Sequence, residues 1–265
     1  MEDPVESRLE VAKLICRKSG EEALKYFKNI GSLVVESKGP QDRVSQADRN
    51  VETLMRDMIA DSFPDDGIIG EEHKASGGTS GFTWIIDPID GTNNFVAGIP
   101  VWATVLACVN ETQTLVGIIH DPNMNEMFYC SNGGGAFLNG EAIAASKAVS
   151  LSEGILGMGF SRRCHPGDTA GIIETVLKQD GTITKNGSGA LSLAYAASGR
   201  FVGFLEIYMN AWDCLAGVLL TEEAGGSVVD FNFRSMLESG GSVAVGSPGL
   251  IDEIAVMMRR ANAAN

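Results

Sequence analysis

The sequence predicts a mixed α/β protein, and three observations carry that expectation. Two amphipathic helical stretches stand near the N-terminus. Short apolar runs separated by turn residues fill 101–138. Strand-like and helix-like segments then alternate from residue 146 onward. At 265 residues the chain is long enough to bury a substantial core, and 44% hydrophobic residues with three Trp exclude a disordered chain.

Residues 5–28 have Val5, Leu9, Ala12, Ile15 and Cys16 at helical spacing. Lys38-Gly39-Pro40-Gln41-Asp42 reads as a loop. A second helix is expected over 45–61, with Val51, Leu54, Met55, Met58 and Ile59 as its apolar stripe. Asp48 lies three residues before Val51 and seven before Met55, so it projects from the core-facing side and needs a partner. Its place in the first turn also answers the helix dipole. Gly67–Gly70 reads as a strand ending in Glu71 and Glu72, followed by a Gly- and Ser-rich loop. Trp84-Ile85-Ile86 reads as a strand that ends in Asp87 and Asp90. Pro88 removes a backbone donor and is expected to stop it. Gly91 permits a tight turn, and Thr92-Asn93-Asn94 starts a helix. The runs 101–110, 114–120, 126–130 and 136–138 suggest an antiparallel meander. Beyond residue 146 we expect strands at 155–160, 182–185, 202–206, 227–230 and 242–245. Helices are expected at about 167–179, 188–199, 211–224 and 249–261. The organisation read from this is an N-terminal α+β half, 1–145, joined without a flexible linker to a C-terminal α/β half, 146–265.

Two aspartates at one strand end are poor packing, because unpaired buried charge is costly; they become favourable around a hard divalent cation. Backbone N–H groups at Gly91, Thr92 and Asn93 would face an anion beside that cation. Asn210 is a reasonable N-cap for the helix that Asp213 opens. Gly187-Ser188-Gly189 opens another helix and offers a second set of donors. The formal net charge of −14 argues against a nucleic-acid-binding surface. It would also repel a phosphorylated substrate unless bound cations reverse the local sign. The five scattered cysteines include no C-x-x-C, and the three histidines share no zinc-type spacing. Neither a signal peptide nor a membrane span is read in the sequence, so a soluble cytoplasmic protein with reduced thiols is expected.

Taken together, these stretches resemble the inositol monophosphatase family of metal-dependent sugar phosphatases. The resemblance is carried by Trp84-Ile85-Ile86-Asp87-Pro88-Ile89-Asp90-Gly91-Thr92-Asn93 and by Trp212-Asp213 with Glu223-Ala224-Gly225-Gly226. Gly70-Glu71-Glu72 and Asp48 complete it in the right order. It implies a layered α-β-α-β-α sandwich, a homodimer, and two or three Mg2+ ions. One ion would be held by Glu71, Asp87 and the Ile89 carbonyl, and another by Asp87, Asp90 and Asp213. Gly91 and Thr92, with Asn93 beside them, would bind phosphate; Asp48 would orient Thr92, which with Glu71 positions the attacking water. Glu206 would meet the substrate's hydroxyls, with Gly187, Ser188 and Gly189 nearby. Lys38 matches a mobile-loop lysine, and Asn210 stands where the family often carries His. Inhibition by Li+ is a further implication. The activity implied is hydrolysis of inositol 1-phosphate or a similar polyol phosphate, with no nucleic-acid or membrane partner. Histidinol phosphate is the alternative substrate, since Glu206 would suit an ammonium, but no aromatic cage for an imidazole is evident in the sequence nearby. A regulatory interaction protein retaining the fold is the alternative of another class.

Overall fold

The computed structural model describes residues 4–39, 42–160 and 165–262; Pro40, Gln41, Cys164 and the side chain of Lys38 lie outside the described residues. In chain order the elements begin with α1 (Pro4–Lys28), β1 (Val35–Gly39), β2 (Asp42–Ser45), α2 (Gln46–Ser62), β3 (Gly67–Gly70), β4 (Thr83–Asp90) and α3 (Thr92–Val96). The meander follows as β5 (Ala103–Val109), β6 (Thr114–Asp121), β7 (Glu126–Ser131), β8 (Gly135–Leu138) and β9 (Glu141–Ala142). Next come β10 (Ile155–Met158), α4 (Pro166–Leu177), β11 (Thr182–Thr184), α5 (Gly189–Ala197), β12 (Gly203–Met209) and α6 (Ala211–Glu223). The last elements are β13 (Ser227–Val228), α7 (Phe233–Ser239), β14 (Gly241–Gly246) and α8 (Ile251–Asn262).

Five layers result. One face of the seven-stranded sheet β3-β4-β5-β6-β7-β8-β9 is covered by α1 and α2. Between them lies a core that includes Ile15, Met55, Trp84, Phe95, Trp102 and Leu106. The other face packs on α5 and α6, whose far side meets the five-stranded sheet β11-β10-β12-β14-β13. That central core joins Ile85 and Phe128 of the first sheet to Leu191, Leu215 and Val245. α4 and α8 close the outer face over Leu156, Leu205, Val176 and Ile254. α5 is buried on almost every side because it is wedged between two sheets, and its run of Ala and Leu suits that position.

The structure departs from the sequence reading in several places. The stretch read as a loop at 38–42 is flanked by an antiparallel hairpin, with Val35 opposite Ser45 and Gly39 opposite Asp42. The short helix α7, capped by the Asn232 side chain accepting from the Ser235 N–H, is an element the sequence reading lacks. Pro88 does not end its strand either. β4 runs on to Asp90, and its pairing with β5 slips, so that Asp87 faces Val105 while Asp90 faces Ala103. Three residues on β4 therefore span two on β5, which is a β-bulge, and Pro88 sits where the ladder is already broken. Residues three apart on a regular strand point to opposite faces; the extra residue brings Asp87 and Asp90 back into phase.

Candidate active site

Two distant chain regions deliver carboxylates to one point. Asp87 and Asp90 come from the bulged end of β4, and Asp213 from the first turn of α6. One oxygen from each lies within 4.8 Å of the others, and this is the cluster of metal-ligating side chains found among the described residues. Asp213 is fixed by Asn210, whose backbone N–H (3.0 Å) and side-chain amide (3.1 Å) both donate to Asp213 Oδ2. Asp90 is held from the start of α5: Ser188 Oγ and the Ala190 N–H (2.8 Å) donate to its Oδ2. The donors there that the sequence offered to a substrate are thus turned, in the case of the Ser188 hydroxyl, onto Asp90. In the same way Asn210, which stands where the family often carries His, directs its side-chain amide to Asp213.

The cluster is electrostatically costly as a set of free acids. Burial, then the charges of Glu71, Asp90 and Asp213, pushes Asp87 well above the usual carboxylate range. Burial and the Asp213 charge push Asp90 up to about 7, against the opposing hydrogen bonds from Ser188 and Ala190. Burial raises Asp213 as well, while its bonds from Asn210 pull the other way. Buried like charges of this kind are stabilised by a divalent cation, and the donor set is all hard oxygen. The residues present therefore fit a hard divalent cation. Glu71 stands outside the three-carboxylate group but bears on Asp87 through its charge. Its own N–H donates to the Ile86 carbonyl of β4 at 3.3 Å.

A second group lies just behind. Asp48, wholly buried at the third helical position of α2, accepts from the Ser45 N–H (2.8 Å) and hydroxyl (2.5 Å) through Oδ2. Its other oxygen lies 3.1 Å from Thr92 Oγ1, which is also 3.0 Å from the Ile89 carbonyl oxygen. Asp48 thus completes a capping box with Ser45 at the start of α2 and also meets the Thr92 hydroxyl. Burial raises its pKa, with the Ser45 bonds opposing. Gly91 precedes Thr92 with φ 93°, a left-handed conformation that favours glycine. A side chain there would also press on the Val101 carbonyl, 3.0 Å from an ideal Cβ.

Beside the carboxylates opens a cavity of about 220 Å3. Asp90, Asn93, Gly187, Ser188, Gly189, Glu206 and Asp213 line it, whereas Asp48, Glu71, Asp87, Ile89, Gly91 and Thr92 do not. Burial, then the Asp213 and Asp90 charges, pushes Glu206 up to about 8, with Lys185 opposing. Lys185, Phe160 and Phe204 also line the cavity, and the Lys185 ammonium lies 5.4 Å from the Phe160 ring centroid. Sequence reasoning missed all three. Lys185 directly precedes the Asn186-Gly187-Ser188 turn, which was the available signal; Phe160 and Phe204 read only as strand residues.

A bulged strand with paired aspartates, a third aspartate opening a helix, and a five-layer sandwich around them define a class. The chain belongs to the inositol monophosphatase family, whose model matches residues 5–262. It is 37% identical over 233 residues to the inositol-1-monophosphatase of Mesorhizobium japonicum, covering 87% of this chain and 88% of that one. It is also 35% identical over 254 residues to the Nus factor SuhB of Escherichia coli, covering 95% of both chains. Among solved structures, the extragenic suppressor protein SuhB of Bartonella henselae superposes with a TM-score of 0.89 at 30% identity, covering 94% of this chain and 97% of that one. The IMPase of Thermotoga maritima superposes with a TM-score of 0.86 at 32% identity, covering 97% and 98%.

Proposed function

We propose that this protein is a Mg2+-dependent phosphomonoesterase acting on inositol 1-phosphate or a similar polyol phosphate. The observation that carries the reading is the convergence of Asp87, Asp90 and Asp213 within 4.8 Å beside a substrate-sized cavity. Asp87, Asp90 and Asp213 would hold one ion; Glu71, Asp87 and the Ile89 carbonyl would hold another. When bound, Mg2+ would polarise the phosphoryl group and lower the pKa of water. Phosphoryl transfer asks little covalent chemistry of the protein, so the remaining work is positioning. The Thr92 hydroxyl has one proton, and Asp48 and the Ile89 carbonyl compete to accept it. Its lone pairs are then left to accept from a water, which orients that water's oxygen toward phosphorus. Glu71 would share this role. Gly91, Thr92 and Asn93 would cradle the phosphate, and Glu206 would accept from the alcohol portion.

Within the same chemistry, histidinol phosphate is the second reading. Phe160, exposed in the same cavity as Glu206, favours it, because it supplies flat apolar surface for an imidazole where the sequence suggested none. A regulatory role alongside catalysis is supported by the relatives named Nus factor SuhB. A homodimer in the cytoplasm remains the working arrangement; no described helix is long and apolar enough to cross a membrane. The test is phosphate release in Mg2+ over a panel of inositol 1-phosphate, histidinol phosphate and fructose 1,6-bisphosphate. The highest kcat/KM is expected for inositol 1-phosphate. Release from none of them would overturn the enzyme reading, and a clear preference for histidinol phosphate would reverse the substrate ranking.

A further inference from the structure

We propose that Glu52 is a positioning residue for Glu71, and that α2 thereby sets both groups assigned to the attacking water. This rests on the phosphatase reading above. Glu52 lies one helical turn after Asp48, and both are wholly buried. A carboxylate buried in mid-helix is costly unless its lone pairs are used. Here the partners are specific. Glu52 Oε2 accepts the Glu72 N–H at 2.7 Å, and Oε1 accepts the His73 N–H at 3.3 Å. Arg56, one further turn along, donates to Oε1 from Nε at 2.7 Å, and its guanidinium reaches the His73 carbonyl at 3.3 Å. The end of β3 is thus bound to α2 directly after Glu71, while the Glu71 N–H is bound to β4 at Ile86 directly before Asp87.

Two consecutive backbone N–H groups, those of Glu71 and Glu72, are in this way tied to different elements. That fixes the Glu71 Cα and the direction in which its side chain leaves the chain, between the strand that carries Asp87 and the helix that carries Asp48. The glycine before Glu71 belongs to the same device. A Cβ on Gly70 would stand 2.1 Å from Glu52 Oε1, so the carboxylate approaches the strand only because residue 70 has no side chain. Asp48 grips Thr92 and Glu52 grips the Glu71 segment, one turn apart on one rigid helix. Neither Glu52 nor Arg56 lines the cavity, and the partners of Glu52 are the Glu72 and His73 N–H groups and Arg56.

Glu52→Gln preserves volume but leaves one acceptor oxygen where two were used. The experiment measures Mn2+ binding directly, by electron paramagnetic resonance or calorimetry, together with kcat and KM for the best substrate of the panel. Four proteins are compared: wild type, Glu52→Gln, Glu71→Gln and the double variant. We expect Glu52→Gln to weaken one Mn2+ site by roughly 10- to 100-fold and to lower kcat comparably. KM should stay within about twofold, since substrate contacts are untouched. The double variant should be no worse than Glu71→Gln alone, because Glu52 acts only through Glu71. Unchanged Mn2+ affinity in the folded variant, with only a lower Tm, would overturn the proposal, as would multiplicative losses in the double variant. If Glu52→Gln does not fold, Arg56→Lys, which retains charge but loses the planar fork, decides by the same readouts. A wild type that binds no Mn2+ and hydrolyses nothing would instead remove the phosphatase reading itself.

Discussion

Replacing Asp48 by Asn tests the coupling between α2 and the reacting water. In the wild type, Oδ2 takes two donors from Ser45 and Oδ1 faces the Thr92 hydroxyl. In Asp48→Asn the new amide will orient its oxygen toward Ser45, where two donors wait, and its NH2 toward Thr92. The helix cap then survives, so the stability loss should be no more than about 1 kcal/mol. The bond to Thr92 reverses: a charged acceptor becomes a donor, and the Thr92 proton is left to Ile89 alone. A hydrogen bond to a charged group contributes roughly 1.5–3 kcal/mol, so kcat should fall by roughly 10- to 150-fold. Thr92→Ala removes the hydroxyl itself. On that background Asp48→Asn should cost almost nothing more. The assay is steady-state phosphate release with all four combinations, with Tm recorded for each. Losses that multiply in the double variant would refute the reasoning, because the two residues would then act separately.

Asp213→Asn should raise the Tm of the cation-free protein, since it relieves repulsion with Asp87 and Asp90. It should abolish most of the stabilisation that Mg2+ gives the wild type and lower kcat by at least about a hundredfold; an unchanged Mg2+ response in a thermal melt would contradict this. Glu206→Gln should raise KM for inositol 1-phosphate only modestly, because an amide oxygen still accepts. For histidinol phosphate it should cost roughly 1.5–3 kcal/mol in kcat/KM, and equal losses on both substrates would mean that Glu206 does not face the alcohol portion. Burial holds the His120 imidazole below its usual pKa, with Arg17 adding to the effect and the Cys16 carbonyl and Glu21 opposing. The unfolded chain therefore takes up the proton first, so this contribution to stability is complete above about pH 6.5 and declines as the pH falls below it. His120→Gln should narrow the stability gap between about pH 7.5 and about pH 5.5 in denaturant titrations; an unaltered gap would count against it.

Much of the fold was legible because its signals are local. Apolar stripes set α1 and α2, turn residues set the meander, and Asn210 before Asp213 announced the start of α6. The five layers came with the family resemblance rather than from periodicity alone. The bulge at Pro88 was not legible, because proline in a strand reads as a terminator unless the partner strand's register is known. The hairpin of β1 and β2 was hidden because Gly39-Pro40 reads as a loop, and α7 is too short at seven residues to show a periodicity. Within the site, the residue types that bind a hard cation could be named from sequence, but their partners could not. Ser188 and Asp90 are 98 positions apart, and nothing in either neighbourhood announces the bond. Glu52 had a signal, a carboxylate beside Val51 in the apolar stripe with Arg56 four residues on. An i,i+4 pair of that kind reads as a solvated helix face until the structure shows it buried.

The central claim is that these carboxylates serve a bound divalent cation in phosphate ester hydrolysis. Its most direct test is the rate of phosphate release by the wild-type protein from whichever substrate of the panel it prefers, inositol 1-phosphate being expected, measured as Mg2+ is added back after complete chelation. The account predicts no measurable release in chelator and a saturable rise with Mg2+. Full activity in the presence of excess chelator, or no activity at any Mg2+ concentration in the folded protein, would contradict it.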